Sequence, residues 1–536
     1  MNTSIGPAIR RLTSIFIALL LIISAVAAYT QLTDRAFYNG PLLAESETYN
    51  ARGHCPPYDA PVRGTIYDRN GVKLAWSAPD PDATCGYKRV YADPSLSPLI
   101  GYFSYKYGAA GIENTYNDQL SGSQTGVTTT QVVNHLLHKP QYGQDLYLTI
   151  DERLQKYVNQ VYNASAIFGG VCQSASDPNG AVVVENPNTG EILAMVSHPY
   201  YDANKINDPG YFASLQNDPK LPLLNRATQG LYTPGSTFKT VTLTGALNEG
   251  IASLGTPFSK EDAVHYTING EHINWDDYLN GQWQNAQFPL TLQDAYAYSD
   301  NTVYAREAVQ LGADKWLQYV RLYGIKTPGQ GMPTVEPPPF DAPYEQSQAF
   351  NATRNGQPTE FNENMLAESG FGQGELLISP LTMATVASAA AANGYLYTPH
   401  VRLKLVPHGV ATSSVLPVTP AIYDQVMSAQ TASVVRQAMW AVTRYGTGSA
   451  GLPAHNGYFT YNSPAHMGGK TGTAQLPDGR PHAWWIGIAP DDASGAGTGP
   501  AKYAIAVIKE HSGEGACQTY VANDAMLYAL QHSIGY

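Results

Sequence analysis

The sequence predicts an α+β fold in which an antiparallel sheet is flanked by helices. The first observation is a pair of apolar runs, at 181–185 and 192–197, which are separated by a short turn-forming segment. The second observation is a further pair of apolar runs near the C-terminus, at 483–489 and 503–509. Long segments between these pairs carry helical patterns. We therefore expect consecutive antiparallel strands with helices packed outside the sheet.

The composition indicates a folded protein and argues against nucleic-acid binding. The chain has 536 residues, 43% of them hydrophobic, and a formal net charge of −12. This length is sufficient for two or three domains. The sequence contains no long run of Lys or Arg, so we interpret the acidity as a contribution to solubility. Nucleic acid is therefore not an expected partner.

An apolar stretch near the N-terminus predicts a single membrane anchor. Residues 12–29 carry no charge, and about 20 such residues cross a bilayer. Two arginines directly precede the stretch, which favours a cytoplasmic tail and an exported remainder. Small residues at 25–27 also resemble a signal-peptide cleavage site, so a cleaved leader is the alternative. We expect a tail at 1–11 and an uncleaved anchor at 12–32.

A β-rich, non-catalytic domain is predicted at 33–145, directly after the anchor. Two β-rich stretches flank the run Asp68-Arg69-Asn70-Gly71, whose last two residues fit a type I′ hairpin turn. A new strand and helix pattern begins near residue 148. We therefore place the domain boundary near residue 145 and assign 146–536 to a second domain.

Three helices are predicted in the second half of the chain. The first is an Ala-rich run at 383–393, for which Ser379 and Pro380 supply an N-cap and a first helical residue. The others are expected at about 421–444 and 523–532. We expect the Ala-rich helix to be buried.

Four cysteines, Cys55, Cys85, Cys172 and Cys517, allow two disulfides in an exported protein. Three pairings are possible. Pairing Cys55 with Cys85 and Cys172 with Cys517 keeps each bond within one predicted domain, and this is our hypothesis. The cysteine spacing is not that of a metal site and no H-E-x-x-H motif occurs, so we expect no metal.

The motif that organises the second domain is the S-x-x-K pair Ser236 and Lys239. The spacing places both side chains on one face of a predicted helix. Ser236 would lie at the helix N-terminus, where free N–H groups favour developing negative charge. A neutral Lys239 could accept the hydroxyl proton. Because S-x-x-K is common by chance, this motif alone does not establish catalysis.

Two later motifs supply the missing support. The tripeptide 299–301 is Ser-Asp-Asn and opens a helical run, and residues 470–473, Lys-Thr-Gly-Thr, follow two glycines. S-x-x-K, S-D-N and K-T-G in this order are typical of the penicillin-recognising serine acyltransferases. The segment from Arg63 to Ala75 also resembles the R-G-x-I-x-D-R-N-G-x-x-L-A motif of one subgroup. The chain therefore resembles a class B penicillin-binding protein.

This resemblance implies both a fold and an activity. The fold would be that of penicillin-binding-protein transpeptidases and serine β-lactamases, with a membrane-proximal dimerisation or pedestal domain before it. The activity would be that of a membrane-anchored, monofunctional D,D-transpeptidase, acting on peptidoglycan stem peptides outside the cytoplasm and acylated by β-lactams. No cofactor is implied. A membrane glycosyltransferase is the expected partner.

The resemblance also implies a role for each residue of the three motifs. Ser236 would be the nucleophile and Lys239 its base. Ser299 could pass a proton to the leaving amine, and Asn301 could hold Lys239 together with a substrate carbonyl. Lys470 would supply positive charge and lower the pKa of Lys239.

The strand that carries the third motif is expected to form the wall of a substrate cleft. Thr471 and Thr473 would share one face of this edge strand and bind a substrate carboxylate. Gly472 would allow an extended peptide to lie against the strand. The backbone N–H groups of Ser236 and Thr473 would form the oxyanion hole.

Other functions are weaker alternatives. A serine β-lactamase of the S-D-N type needs a glutamate that activates the deacylating water, and no E-x-x-L-N segment lies between Ser299 and Lys470. A D,D-carboxypeptidase would use the same residues with water as the acceptor. A non-catalytic β-lactam sensor or scaffold is disfavoured because all three motifs are intact. A bifunctional class A protein is rejected because 33–145 contains no E-D-x-x-F segment.

Overall fold

A computed structural model of the chain describes residues 16–20, 22–24, 62–122, 142–164, 179–273, 287–327, 338–351, 353–354, 357–449, 465–477, 479–490 and 501–536. Within these residues, ten strands form two five-stranded sheets. The strands are β1 (Ile66–Tyr67), β2 (Lys73–Pro79), β3 (Tyr87–Tyr91), β4 (Asp145–Leu148), β5 (Gly180–Glu185), β6 (Ile192–His198), β7 (Arg402–Val406), β8 (Gly468–Ala474), β9 (His482–Ala489) and β10 (Tyr503–Lys509).

The longer helices in the described part of the chain are α1 (Glu152–Ala164), α2 (Lys239–Asn248), α3 (Leu292–Ala297), α4 (Asn301–Leu311), α5 (Ala313–Leu322), α6 (Glu363–Gly370), α7 (Pro380–Ala391), α8 (Ala429–Arg444) and α9 (Gln518–Gln531). Short helices span Ser97–Ile100, Gly111–Thr115, Asn117–Ser121, Tyr211–Gln216 and Lys260–Val264. Two-stranded ladders pair 103–104 with 108–109, 257–258 with 290–291, 267–268 with 271–272, 353–354 with 357–358, and 395–397 with 422–425.

The first sheet joins the N-terminal segment to the second half of the chain. Its strand order is β7-β4-β1-β2-β3, with β1 and β4 parallel and the other neighbours antiparallel. Ile66, Leu146 and Leu148 from its central strands are fully buried. Because β7 comes from after the predicted boundary, the two halves share backbone hydrogen bonds. The boundary near residue 145 itself stays a prediction.

The hairpin turn between β1 and β2 differs from the predicted type I′. Only Gly71 has a positive φ, 86°, whereas type I′ needs two such residues. The amide of Gly71 donates to the carbonyl of Asp68 at 3.2 Å. The Asp68 carboxylate also accepts hydrogen bonds from the amides of Asn70 and Val72, each at 2.8 Å. The aspartate thus favours a three-residue turn that ends in a left-handed glycine.

The second sheet carries the strands that the sequence predicted. Its order is β8-β9-β10-β5-β6, and every neighbouring pair is antiparallel. Consecutive residues of the inner strands β5, β9 and β10 are all buried, so helices cover both faces. Helix α7 packs on β5, β9 and β10, whereas α1 packs on β6 and α9 on β10. The α+β prediction is confirmed, and β8 lies at the sheet edge.

Two of the three helix predictions hold and one is partly wrong. Helix α7 is capped by the Ser379 hydroxyl, which accepts from the amide of Thr382 at 3.2 Å, and it is buried as expected. Helix α9 begins five residues earlier than the predicted 523–532. The predicted helix at 421–444 instead starts with the strand Ile422–Gln425 and becomes helical at Ala429. The reason is Ser428, whose hydroxyl caps α8 and marks its true start.

Two further predictions concern segments that are only partly described. Among the described residues, no helix is both long enough and apolar enough to span a bilayer. The predicted anchor at 12–32 falls mostly outside these residues. Cys85 and Cys517 are each disulfide-bonded. Their proposed partners, Cys55 and Cys172, lie outside the described residues, so the pairing stays a hypothesis.

A buried ion-pair cluster stabilises the N-terminal segment. The Glu113 carboxylate is fully buried and accepts from Arg63 Nε at 2.5 Å and from Arg89 Nε at 2.6 Å. Burial disfavours the charged carboxylate, but the guanidinium groups of Arg89 and Arg63 outweigh this effect and hold the pKa of Glu113 below its usual value. The cluster therefore contains one carboxylate that compensates two buried cations.

We expect Glu113→Gln to lower the free energy of unfolding by about 3–5 kcal/mol, because two buried guanidinium groups lose their counter-ion. Denaturant unfolding of the chain would measure the loss. Glu152→Gln is the matched control, since Glu152 pairs with Lys156, whose side chain is 60% exposed, and such pairs contribute at most about 1 kcal/mol. Equal effects of the two substitutions would contradict the assigned role of Glu113.

Candidate active site

Ser236 lies in a tight turn that is packed against the edge strand β8. The turn is a 3₁₀ segment, Gly235–Phe238, which continues directly into α2. Gly235 has a φ of 56°, and a Cβ atom there would lie 3.0 Å from the carbonyl of Thr473. Glycine at this position therefore allows the close approach of the turn to β8. Trp484 on β9 also supports the turn by donating its indole N–H to the Thr233 carbonyl at 3.0 Å.

Lys239 begins α2, and its buried amine connects the first two motifs. Its Nζ lies 2.8 Å from Ser236 Oγ and 2.5 Å from Asn301 Oδ1. It also lies 2.8 Å from the carbonyl oxygen and 3.2 Å from the hydroxyl of Ser299. The lysine side chain is fully buried. The amine is therefore held by several oxygens beside the serine hydroxyl.

The S-D-N segment forms the junction between α3 and α4. Ser299 has a φ of 68°, a left-handed conformation that costs a non-glycine residue about 1–3 kcal/mol. Asp300 is the N-cap of α4, because its carboxylate accepts from the amide of Val303 at 2.9 Å. Asp300, and not Ser299, therefore caps this helix. The Ser299 hydroxyl is consequently available to the amine cluster.

Lys470 on β8 brings the third motif to the same place. Its Nζ donates to Ser299 Oγ at 2.8 Å and to the Thr471 carbonyl at 3.0 Å. The Ser299 hydroxyl therefore lies within hydrogen-bond distance of two buried amines. Proton transfer between these groups needs only local movement.

Burial sets the protonation of both lysines. Desolvation lowers the pKa of Lys239 to about 7, although the charge of Asp300 opposes this shift. Desolvation, followed by the charge of Lys239, lowers the pKa of Lys470 well below its usual value. Burial is therefore the main cause for both amines. Because repulsion between two neighbouring ammonium groups acts on both of them, the expectation that Lys470 also lowers the pKa of Lys239 stays a prediction.

The two threonines of the edge strand meet different neighbours. Thr471 Oγ1 lies 2.5 Å from Thr447 Oγ1. Thr473 Oγ1 donates to Glu514 Oε2 at 3.2 Å and accepts from the amide of Gly515 at 3.3 Å. Two hydroxyl groups and one exposed carboxylate thus lie beside the β8 edge.

Gly472 has a packing role that the sequence prediction did not include. A Cβ atom at this position would lie 2.9 Å from the Pro234 carbonyl and 2.9 Å from a methyl group of Thr237. Glycine here lets β8 approach the serine turn. That glycine also lets an extended peptide lie against the strand stays a prediction. The proposed oxyanion donors, Ser236 and Thr473, belong to the two segments that this approach brings together.

Sequence reasoning predicted the members of the amine cluster and missed two side chains at its rim. Thr447 follows α8, and Glu514 lies in the connection between β10 and α9. Neither belongs to a motif that could have pointed to it, because both reach the site only through the packing of distant segments. The arrangement of the predicted residues can activate a serine hydroxyl for attack on a carbonyl carbon.

The chain matches known protein families and a curated relative over most of its length. Residues 180–526 match the penicillin binding protein transpeptidase domain family, and residues 63–146 match the penicillin binding protein A dimerisation domain family. The peptidoglycan D,D-transpeptidase PbpA of Mycolicibacterium smegmatis is 28% identical over 529 residues, which cover 96% of this chain and 95% of that protein.

Solved structures are similar over most of the chain. The penicillin G acyl-enzyme complex of penicillin-binding protein A from M. tuberculosis is 25% identical, with a TM-score of 0.70, covering 88% of this chain and 100% of that one. The D,D-transpeptidase domain of a peptidoglycan glycosyltransferase from Eggerthella lenta is 27% identical, with a TM-score of 0.68, covering 88% and 99%.

Proposed function

Because this chain belongs to the penicillin-binding proteins with a transpeptidase domain, we propose that it is a peptidoglycan D,D-transpeptidase that forms an acyl-enzyme at Ser236. The observation that carries the proposal is the 2.8 Å contact between Lys239 Nζ and Ser236 Oγ. This contact lies inside a cluster that contains all three motifs. The relative of M. smegmatis, which carries the same activity in its name, supports the assignment.

Acylation begins when Lys239, in its neutral form, accepts the hydroxyl proton of Ser236. The serine oxygen attacks the carbonyl carbon of the penultimate D-alanine of a stem peptide. The N–H groups of Ser236 and Thr473 are the proposed donors to the resulting oxyanion. The C–N bond then breaks, and the terminal D-alanine leaves with a proton that is passed on through the Ser299 hydroxyl. A serine ester of the stem peptide remains.

Deacylation uses the same groups in the opposite direction. The amine of a neighbouring stem peptide attacks the ester carbonyl and gives up a proton. The ester C–O bond breaks as Ser236 recovers its proton from the lysine, and a new amide cross-link is released. A β-lactam would acylate the same serine, but its opened ring blocks this second step.

The β8 edge is the proposed binding site for the substrate carboxylate. The hydroxyl groups of Thr471 and Thr473 are suitable hydrogen-bond donors to a carboxylate. The positive charge predicted for Lys470 would strengthen their interaction with the anion. Asn301 holds Lys239 through its amide oxygen, and its amide group is the proposed donor to the substrate carbonyl.

We also propose that the enzyme is a single-pass membrane protein with its catalytic domain outside the cytoplasm. The support is the uncharged stretch 12–29, with the arginine pair before it. A membrane glycosyltransferase that supplies uncrosslinked glycan is the proposed partner, because this chain is assigned only the cross-linking reaction.

A cross-linking assay tests the proposed function. The full-length protein in detergent is incubated with uncrosslinked peptidoglycan that carries pentapeptide stems. We expect D-alanine release to be matched by new peptide cross-links. Release of D-alanine without cross-links would identify a D,D-carboxypeptidase, and absence of both products would contradict the enzymatic assignment.

Glu514 offers a direct test of the proposed carboxylate site. Its exposed carboxylate accepts a hydrogen bond from Thr473 Oγ1 and would repel an incoming anion. We expect Glu514→Gln to raise the rate constant for acylation by an anionic penicillin by about fivefold, since a nearby charge contributes roughly 1 kcal/mol in a solvated setting. The gain should shrink at high salt.

The control for this prediction is Glu261→Gln, which removes an exposed carboxylate on the helix Lys260–Val264 and changes the net charge equally. Stopped-flow acylation at two salt concentrations would measure both variants. An unchanged or slower acylation in Glu514→Gln would refute the idea that this carboxylate competes with the anion.

A further inference from the structure

Thr447 belongs to none of the three catalytic motifs, although it contacts elements that carry two of them. It lies in the short turn Gly446-Thr447-Gly448, which follows α8. Its amide donates to the carbonyl of Ala297, the last residue of α3, at 2.9 Å. Its hydroxyl oxygen lies 2.5 Å from Thr471 Oγ1 on β8. The turn therefore joins the helix before the S-D-N segment to the strand that carries the third motif.

The two glycines beside Thr447 allow this close approach. A Cβ atom at position 446 would lie 2.2 Å from the Ala297 carbonyl oxygen, and one at position 448 would lie 3.1 Å from the Trp485 ring. A side chain at either position would force the turn away from its neighbours. The one side chain between the glycines, that of Thr447, is thus brought directly against Thr471.

The neighbours of the Thr471 hydroxyl determine where its single proton points. A hydroxyl group has one proton and two acceptor lone pairs. Thr447 Oγ1 lies 2.5 Å from the Thr471 oxygen, and Lys470 Nζ donates to the same oxygen over a longer distance of 3.5 Å. The described residues provide no third partner for this oxygen. When Thr447 donates, both lone pairs are occupied and the proton of Thr471 is left for a ligand.

Thr447 is better placed to donate to Thr471 than to its other neighbour. The Ala297 carbonyl lies 3.4 Å from Thr447 Oγ1 and already accepts from the Thr447 amide at 2.9 Å. The contact with Thr471 is much shorter. Hydrogen bonds that follow one another in a chain also strengthen each other, so an anion that accepts from Thr471 reinforces donation by Thr447.

The other threonine of the strand is in a different situation. Thr473 Oγ1 donates to Glu514 Oε2 at 3.2 Å, so its proton is already engaged. Thr471 is 5% exposed and Thr447 is half-buried, so the hydroxyl pair keeps some access to solvent. Of the two threonines, Thr471 is therefore the one whose proton is ready for an anion.

We propose that Thr447 is a positioning residue for substrates that carry a carboxylate, because its hydrogen bond to Thr471 Oγ1 directs the Thr471 proton to that group. The inference rests on the proposed carboxylate site at the β8 edge and adds a residue from outside the three motifs. A hydrogen bond to an anion is about twice as strong as one to a neutral group. Thr447 therefore favours acidic ligands over neutral ones, and it takes no part in the activation of Ser236.

The test compares acylation by penicillin G, which carries a carboxylate, with acylation by its neutral methyl ester. Stopped-flow measurements on the full-length protein in detergent give a binding constant and an acylation rate constant for each probe. In Thr447→Val, which keeps the shape of the side chain, we expect the preference for penicillin G to fall about fivefold, the effect of one neutral hydrogen bond. The loss should lie in binding, with the rate constant at saturation unchanged.

Three further variants show whether the hydroxyl group itself is responsible. Thr447→Ser retains the hydroxyl and should keep the wild-type preference. Thr447→Ala removes the hydroxyl without adding a methyl group, and it replaces the valine variant if that variant does not fold. In a protein that already carries Thr471→Val, Thr447→Val should change the preference by less than about twofold, because the group through which it acts is gone.

Thr443→Val is the matched control for loss of a threonine hydroxyl near β8. Thr443 lies one turn earlier on α8, and its Oγ1 donates to the Met467 carbonyl at 2.7 Å, just before the strand begins. This contact does not involve Thr471. We therefore expect the preference to change by less than about twofold.

The outcomes separate this inference from the proposed function. No acylation of the wild type by penicillin G would contradict the proposed function and remove the basis of the inference with it. If penicillin G does acylate the wild type, a fall in preference that Thr447→Ser does not share supports the role of Thr447. An unchanged preference in Thr447→Val and Thr447→Ala would overturn it. Equal slowing of both probes, or an equal loss in Thr447→Ser, would overturn it as well, because Thr447 would then only support the fold.

Discussion

Ser236→Ala is expected to lower peptide cross-linking by at least about 10⁴-fold, because none of the described residues places another hydroxyl group at the position of the attacking oxygen. Among the described residues near this position, Ser299 Oγ bonds both lysine amines and Thr237 Oγ1 donates to the Pro234 carbonyl at 2.7 Å. Formation of cross-links in uncrosslinked peptidoglycan would measure the loss.

The fold of Ser236→Ala must be shown to be intact, since the serine turn packs on β8. Thermal unfolding within a few degrees of the wild type would establish this. Thr240→Ser, one turn along α2, is a suitable control because it keeps a hydroxyl group that bonds Tyr296 at 2.8 Å. Cross-linking by Ser236→Ala at more than about one hundredth of the wild-type rate would mean that another residue is the nucleophile.

Lys239→Met is expected to slow acylation of Ser236 by about 10²–10⁴-fold, the usual contribution of a general base. Methionine fills much of the lysine volume but cannot accept a proton. Lys239→Arg should be similarly slow, since arginine stays charged at all accessible pH values. Stopped-flow acylation by a penicillin would measure both effects.

The pH dependence of the acylation rate of the wild-type protein also tests whether Lys239 is the base, because the direction of the change can be predicted. Burial lowers the pKa of Lys239 to about 7, so the neutral base predominates above that pH and is lost below it. The acylation rate should therefore fall about tenfold per unit below pH 7 and level off above it. A flat profile from pH 5 to 8 would argue against Lys239 as the base.

Lys509→Met provides a matched control for removing a buried amine. Lys509 lies on β10, where burial also lowers its pKa to about 7, and its Nζ donates to the Tyr162 carbonyl at 3.0 Å. We expect its acylation rate and pH profile to match those of the wild type. A loss similar to that of Lys239→Met would show that the effect comes from disturbed packing.

The sequence was sufficient to predict which side chains cluster around the two buried lysine amines, because each belongs to a short motif. Ser236 precedes α2, Asn301 begins α4, and Lys470 lies on an edge strand. The order of the three known motifs along the chain was enough to predict that these residues lie close together in the fold. The strands of the second sheet were predictable for a related reason, since their buried apolar runs are continuous.

Features that depend on distant packing could not be predicted in this way. The left-handed conformation of Ser299 follows from how α3 meets α4. The contact of Glu514 with Thr473 depends on the connection after β10. The pKa of Lys239 depends on complete burial, which no local pattern shows. The strand Ile422–Gln425 lies within the predicted helix 421–444, and its partner strand, Tyr395–Tyr397, is too distant in the sequence to be recognised from a local pattern.

The most direct test of the account is the intact mass of the full-length protein after it is mixed with penicillin. The account predicts the addition of one drug molecule that persists for many minutes and maps to the peptide containing Ser236. Rapid consumption of the drug without a lasting adduct would instead indicate a β-lactamase. An adduct on any other residue, or none together with no cross-linking activity, would contradict the central claim that Ser236 forms the acyl-enzyme.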